Sequence, residues 1–113
     1  LTEKTKTIIN SDSLKIVKTG AILINAGRGG LLEDNDLLKA LDSGKLSGCT
    51  LDVFNEEPLP LEHPFWSHDK VTVTPHISAP TRLRSSIKSI LINIDRIKKG
   101  LQPIGLVKKK RSY

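Results

Sequence analysis

Cysteine, methionine and aromatic residues are all scarce here. The 113-residue sequence has one cysteine, no methionine, one tryptophan, one tyrosine and two phenylalanines. The lone Cys49 excludes an internal disulfide framework and suits a reducing compartment, so a cytoplasmic location is expected. No apolar run approaches the roughly 20 residues that a membrane span requires. The polar start, LTEKTKTIIN, has no basic flank leading into a long apolar core, so neither a signal peptide nor a membrane partner is expected. The chain begins at Leu1 and lacks methionine, which leads us to expect part of a longer product.

What is present fits a folded chain. Charged residues make up 27% and hydrophobic residues 37%, enough for a small domain with a modest core. The net charge is +6, concentrated late at Arg82, Arg84, Lys88, Arg96, Lys98, Lys99 and the run Lys108 to Arg111. A basic tail can bind nucleic acid, but no aromatic residues interleave these charges to stack bases. The charges read instead as a solvated helix face and a solubilising end, with no nucleic-acid partner expected.

Hydrophobic patterning gives an α-β-α-β-loop-β-α order. A short helix over 13–18 is closed by Gly20. AILIN (21–25) reads as a buried parallel strand, and LLEDNDLLKALDSG (31–44) as a helix with early acids and a Gly44 stop. LSGCTLDVF (46–54) is a second strand. NEEPLPLEHPFW (55–66) has three prolines and is read as irregular, with Phe65 and Trp66 either plugging the loop onto the core or walling a substrate. KVTVTPH (70–76) is a third strand, stopped by Pro75. From Pro80 to Lys99, Leu83, Ile87, Ile90, Leu91, Ile94 and Ile97 keep to one helical stripe, ended by Gly100. The fold class is therefore α/β, a parallel sheet covered by helices, with a domain crossing expected at PHISAP.

The stretch INAGRGG (24–30) admits two readings. A strand before it, a helix after it and Asp52 further on support a phosphate-cradling loop. Against this, a dinucleotide fingerprint needs glycines at 27, 29 and 32, and position 32 is leucine. Glu33, Asp34 and Asp36 would also repel a phosphate at the helix start. The glycines are better read as geometric, letting the chain turn at a strand end and approach a ligand closely. Arg28 projects there, suited either to a forked grip on a carboxylate or to satisfying loop carbonyls.

Other strand ends carry Asp52, Glu57 and His76. A carboxylate beside a histidine fixes its tautomer and favours its charged form. Such a histidine can protonate a carbonyl oxygen that is becoming an alkoxide. A carboxylate clamp and a proton donor together describe a site for a 2-oxo acid, and reduction then needs a hydride carrier.

AILINAGRGGLLEDNDLLKAL, SGCTLDVFNEEPLP and VTVTPHISAPT resemble three successive motifs of the D-isomer-specific 2-hydroxy-acid dehydrogenases, across essentially the whole chain. The resemblance implies that Arg28 holds the substrate carboxylate, Glu57 pairs with His76, and His76 is the catalytic acid/base. It implies cofactor contacts at Thr2, Ala26, Gly27, Asp52 and Ser78, with Asp52 near the nicotinamide carboxamide. The implied cofactor is NADP or NAD, NADPH favoured. The implied substrate is a small 2-oxo acid such as glyoxylate or hydroxypyruvate, and a homodimer is expected of the complete enzyme. Residues 1–76 correspond to the C-terminal half of a Rossmann-type cofactor domain. Residues 77–113 correspond to a crossing segment and a helix returning to the substrate domain. Ser78-Ala79 stand where many members have Gly-Ser. The family's GxGxxG loop is absent, so the fragment alone is expected to be inactive. An inert interaction piece with an open sheet edge is the alternative.

His63, His68 and His76 with Glu62 fit no closed zinc spacing, so no metal is expected. His63 and His68 are read as loop-surface residues, and Cys49 as a small buried thiol rather than a nucleophile.

Overall fold

The computed structural model describes residues 1–107. The basic run at 108–111 and Tyr113 lie outside the described residues. The chain forms two compact units, Leu1–Ala79 and a second that begins at Pro80.

The first unit opens with α1 (Ser11–Ile16), two residues earlier than expected. The reason is Asn10. Its side chain accepts the N–H groups of Asp12 and Ser13, while the Ser13 hydroxyl accepts the Asn10 N–H, a reciprocal cap. Strand β1 (Ala21–Asn25) follows, then α2 (Asp34–Asp42) and β2 (Leu46–Leu51). Helix α2 starts later than its leucines suggested. Gly29–Leu31 form a 3-10 turn, and Leu32 instead pairs with Ile9 as a parallel bridge. The Gly44 stop is present: Gly44 takes φ +73, a left-handed conformation that glycine adopts without strain.

A loop leads to β3 (Val71–Val73), shorter than the expected strand. Pro64–Trp66 form one 3-10 turn inside the proline-rich loop. The three strands are parallel and in sequential order, with Leu23 opposite Cys49 and Thr50 opposite Thr72. The core includes Leu37, Leu41, Leu46, Leu51 and Phe65, each at most 1% exposed. Burial of such a side chain contributes about 1.5–3 kcal/mol.

The expectation that AILIN is buried on both faces is corrected. Ala21 and Leu23 pack against the core, but Ile22 and Ile24 are 70% and 71% exposed. Successive strand side chains point to opposite faces. Within the first unit, the face toward Ala21 and Leu23 is the covered one.

In the second unit, α3 (Leu83–Lys98) carries the apolar stripe, and none of its residues is buried. Gly100 (φ +71) ends it, and the Leu101 N–H returns to the Arg96 carbonyl at 2.8 Å. The following segment folds back. The Asn93 amide accepts the Ile104 N–H at 2.7 Å and donates to the Ile104 carbonyl at 3.2 Å.

Candidate active site

The carboxyl ends of β1, β2 and β3 are joined by hydrogen bonds. The Asp52 N–H donates to the Asn25 carbonyl at 2.9 Å, and the Thr74 N–H donates to the Leu51 carbonyl at 2.9 Å. The segments leaving these strands therefore start from one rim, where open α/β sheets bind their ligands.

At the end of β1, the buried Asn25 shapes the glycine loop. Its side-chain oxygen accepts the Gly27 N–H, and its amide donates to the Arg28 carbonyl, both at 3.1 Å. Sequence reasoning missed Asn25, although Asn two residues before a glycine N–H is a recognisable turn signal. Arg28 is exposed and donates one hydrogen bond, from Nη1 to the Gly27 carbonyl at 2.8 Å. The loop-carbonyl reading of Arg28 thus holds for one N–H. A guanidinium carries five.

Gly29 and Gly30 pack against the chain itself. A β-carbon on Gly29 would lie 1.9 Å from the Phe54 carbonyl carbon and 2.0 Å from its oxygen. Gly29 therefore lets the loop after β1 press onto the backbone after β2. Leu1 lies over Gly30, its Cδ2 only 2.8 Å from where a β-carbon there would sit. Thr2 is thereby carried to the same loop, where it opens a turn whose Thr5 hydroxyl accepts the Thr2 N–H at 2.9 Å.

The acids opening α2 are committed to the scaffold. Asp34 accepts from the Asn55 amide at 2.9 Å, and Asp36 accepts the Ser11 N–H at 2.8 Å.

After β2, Glu57 reaches the segment that follows β3. Its Oε2 lies 2.7 Å from Nδ1 of His76, and its Oε1 accepts the Phe54 N–H at 2.9 Å. The His76 bond chiefly, with the Phe54 N–H and the nearby charges of His76 and Arg28, holds the Glu57 carboxyl below its ordinary range. An ionised carboxylate only accepts hydrogen bonds, so Nδ1 must carry the shared proton. Nε2 is then the nitrogen left for proton exchange with a ligand. His76 itself adopts φ +54, unusual for a residue other than glycine.

Asp52 is 3% exposed and accepts four hydrogen bonds. Oδ1 takes the Thr74 hydroxyl at 2.5 Å and the Ile77 N–H at 2.9 Å; Oδ2 takes the Ser78 hydroxyl at 2.6 Å and the Ser78 N–H at 2.9 Å. The Ser78 and Thr74 hydroxyls lead in holding this carboxyl far below the usual range. Sequence reasoning gave Thr74 no role.

A cavity of about 590 Å³ adjoins the His76–Glu57 pair, walled by Phe54, Leu61, Trp66 and Val73. Phe65 plugs the core as expected, whereas Trp66 is 52% exposed, lines this cavity and donates to the Pro60 carbonyl at 2.9 Å.

The other two histidines are braces, not surface residues. His63 Nδ1 accepts the Phe65 N–H, with its ring 4.4 Å from the Phe65 ring. His68 Nδ1 accepts the Lys70 N–H at 3.1 Å, and its Nε2 faces Asp42 at 3.2 Å. Cys49 is buried, and burial pushes its thiol up to about 11, unsuited to a nucleophile. No described helix is long and apolar enough to cross a membrane.

Residues 1–78 match the family described as "D-isomer specific 2-hydroxyacid dehydrogenase, NAD binding domain". The chain is 43% identical over 112 residues to glyoxylate/hydroxypyruvate reductase A of Yersinia enterocolitica, covering 99% of this chain and 36% of that protein. A D-isomer specific 2-hydroxyacid dehydrogenase from Xanthobacter autotrophicus Py2, solved with NADPH and MES, superposes with a TM-score of 0.93 at 38% identity. That match covers 100% of this chain and 47% of the other. An NADPH-dependent glyoxylate/hydroxypyruvate reductase from Sinorhizobium meliloti, solved with NADP and sulfate, gives 0.89 at 39% identity, over 100% of this chain and 37% of that one. This chain belongs to the D-isomer specific 2-hydroxyacid dehydrogenase family, and spans about a third of the length of the curated reductase it matches.

Proposed function

We propose that this chain forms the proton-transfer end of an NAD(P)-dependent 2-hydroxy-acid dehydrogenase that reduces small 2-oxo acids such as glyoxylate or hydroxypyruvate. The observation that carries the reading is the 2.7 Å contact between His76 Nδ1 and Glu57 Oε2, with the Arg28 charge felt at the same carboxylate.

In this reading Arg28 binds the substrate carboxylate through its remaining N–H groups, which fixes the keto carbon relative to His76. Glu57 holds the His76 tautomer. His76 gives its Nε2 proton to the substrate oxygen as that oxygen becomes an alkoxide, and takes it back in the reverse direction. Trp66 and its cavity neighbours keep an apolar wall beside the pair.

The residues present fit the nicotinamide end of a dinucleotide and not its pyrophosphate end. Ala26 is exposed at the end of β1, followed by the Gly27 backbone, and Ser78 and Asp52 lie across the rim. Leu32 stands where a fingerprint needs glycine, and the first turn of α2 carries Asp34 and Asp36. Thr2, Ala26, Gly27, Asp52 and Ser78 are the residues that would border the nicotinamide. A nicotinamide cofactor supplies the hydride when bound, and NADPH is favoured by the relatives solved with NADP or NADPH. Residues 1–76 then belong to the cofactor domain, and 77–113 supply the crossing and a helix of the substrate domain. A homodimeric, cytoplasmic enzyme is part of the same reading.

Because the sequence contains no GxGxxG, the 113 residues by themselves are proposed to lack turnover. The test joins the preceding part of the Yersinia enterocolitica reductase to this chain. Sustained loss of NADPH absorbance with glyoxylate is expected from the chimera and not from the chain alone. A folded, NADPH-binding chimera without oxidation would count against the reading.

A second reading, an interaction piece, is favoured by the exposed Ile22 and Ile24 on the sheet. It predicts stable self-association of the isolated chain, measurable by sedimentation.

A further inference from the structure

We infer that the apolar cavity beside His76 is the side-chain subsite of the oxo-acid site, and that it takes a 2-oxo acid with a branched aliphatic side chain in preference to glyoxylate. Leu61 and Trp66 set that preference. The inference rests on the reading of Arg28 and His76 as the carboxylate and carbonyl ends of the site, and it names the substrate class.

The cavity measures about 590 Å³, and His76 and Glu57 border it. Phe54, Leu59, Leu61, Trp66 and Val73 supply most of the remaining wall. Ligand pockets of about 300–1,000 Å³ are built this way, mostly apolar with a few polar groups that orient the ligand. Leu61 is 86% exposed and Trp66 is half exposed, so neither is committed to the core. Trp66 is nonetheless held in place. Its indole N–H donates to the Pro60 carbonyl at 2.9 Å, and its neighbour Phe65 is buried. The turn that carries both is capped by His63, whose Nδ1 accepts the Phe65 N–H. Apolar side chains left open on a fixed loop, beside a polar pair, mark a binding groove.

The cavity's position says which part of a ligand it takes. Its lining includes none of Ala26, Gly27 and Arg28. The keto carbon of a 2-oxo acid carries a carboxylate, an oxygen and a side chain. Arg28 takes the first and His76 the second, so the side chain leaves in a third direction. A cavity that borders His76 without reaching Arg28 is placed to receive it. Glyoxylate has only hydrogen there. Hydroxypyruvate has a hydroxymethyl group, to whose hydroxyl Leu61 and Val73 offer no hydrogen bond. A branched aliphatic chain buries apolar surface instead, and each methylene in such a pocket changes discrimination about 10- to 200-fold.

Trp66 is the single tryptophan of the sequence, so its emission reports on the cavity. The test titrates the 113-residue chain, without cofactor, with 4-methyl-2-oxopentanoate and with glyoxylate. A saturable blue shift is expected with 4-methyl-2-oxopentanoate, and little change with glyoxylate at the same concentrations. Leu61→Ser alters an exposed side chain, so the fold survives it, and binding should weaken about 10-fold. Arg28→Gln should weaken binding too, because one molecule is held at both ends. The absence of a saturable shift overturns the inference. So does a shift that Leu61→Ser leaves unaltered, or one that survives Arg28→Gln, which would be an apolar hole outside the oxo-acid site.

The chimera supplies the second readout. Its kcat/KM should be higher for 4-methyl-2-oxopentanoate than for glyoxylate, and Leu61→Ser should lower that ratio about 10-fold. If Trp66 is shielded from iodide before any ligand is added and does not respond to 4-methyl-2-oxopentanoate, the preceding part of the chain fills the cavity, and the inference is overturned. Reduction of glyoxylate with no preference for the branched acid overturns the inference alone. A folded, NADPH-binding chimera that oxidises NADPH with neither acid overturns the proposed function as well.

Discussion

Nδ1 of His76 lies 2.7 Å from Oε2 of Glu57, although the two residues leave different strands. The contact requires both loops to hold their shape, because the Glu57 side chain is 37% exposed and that of His76 49%. The Phe54 N–H on one Glu57 oxygen and the bonds around Thr74 and Ser78 supply that constraint. Glu57→Gln keeps the shape and removes the charge. In the chimera it should lower kcat for glyoxylate by on the order of 10²-fold, within the range that general acid-base catalysis contributes. Steady-state kinetics with saturating NADPH checks this; an unchanged kcat removes Glu57 from the mechanism.

Arg28 should act on substrate binding. Charge-assisted hydrogen bonds contribute about 1.5–3 kcal/mol, so Arg28→Gln should raise KM for glyoxylate about 10- to 100-fold. Arg28→Lys should restore little, because an ammonium cannot form the forked pair. The KM for NADPH should not change in either variant.

Gly29 tests the packing role of the glycine loop. An added β-carbon would overlap the Phe54 backbone, which has no flexible end to move aside. Gly29→Ala should destabilise the chain by at least the ~1–3 kcal/mol typical of overpacking. Gly30→Ala meets only the end of the Leu1 side chain and should cost less. Urea midpoints at constant m compare the two.

Acid sensitivity follows from Asp52. Its folded pKa lies below its unfolded one, so in acid the unfolded chain binds a proton that the folded chain does not. Stability therefore falls as pH drops: the contribution is present above the ordinary Asp range, about 3.9, and is lost as pH falls through it toward the folded value. Glu57, also lowered, acts with the same sign. The urea midpoint should decline from about pH 5 to pH 3, and Asp52→Asn should flatten that decline.

Much of this was legible in the sequence because it depends on local pattern. AILIN ends at Asn25 as expected, and the leucines of α2 face the core. Gly44 and Gly100 stop their helices at positive φ. Arg28, Glu57 and His76 stand at strand ends because the strands do. What escaped depends on distant chain. The close neighbour of Gly29 is Phe54, twenty-five residues on, and no local rule names it. Thr74 and Ser78 are ordinary polar residues until the fold places them on Asp52. Ile22 and Ile24 read as core because an apolar strand does not state which of its faces will be covered. His63 and His68 looked like surface residues because their partners, Asp34 and Asp42, lie on α2.

The most direct measurement is the rate of NADPH oxidation with glyoxylate by the chimera carrying His76→Ala, alongside its affinity for NADPH. The account predicts a rate lowered at least 10²-fold with NADPH affinity unchanged. Turnover equal to that of the unsubstituted chimera would contradict it.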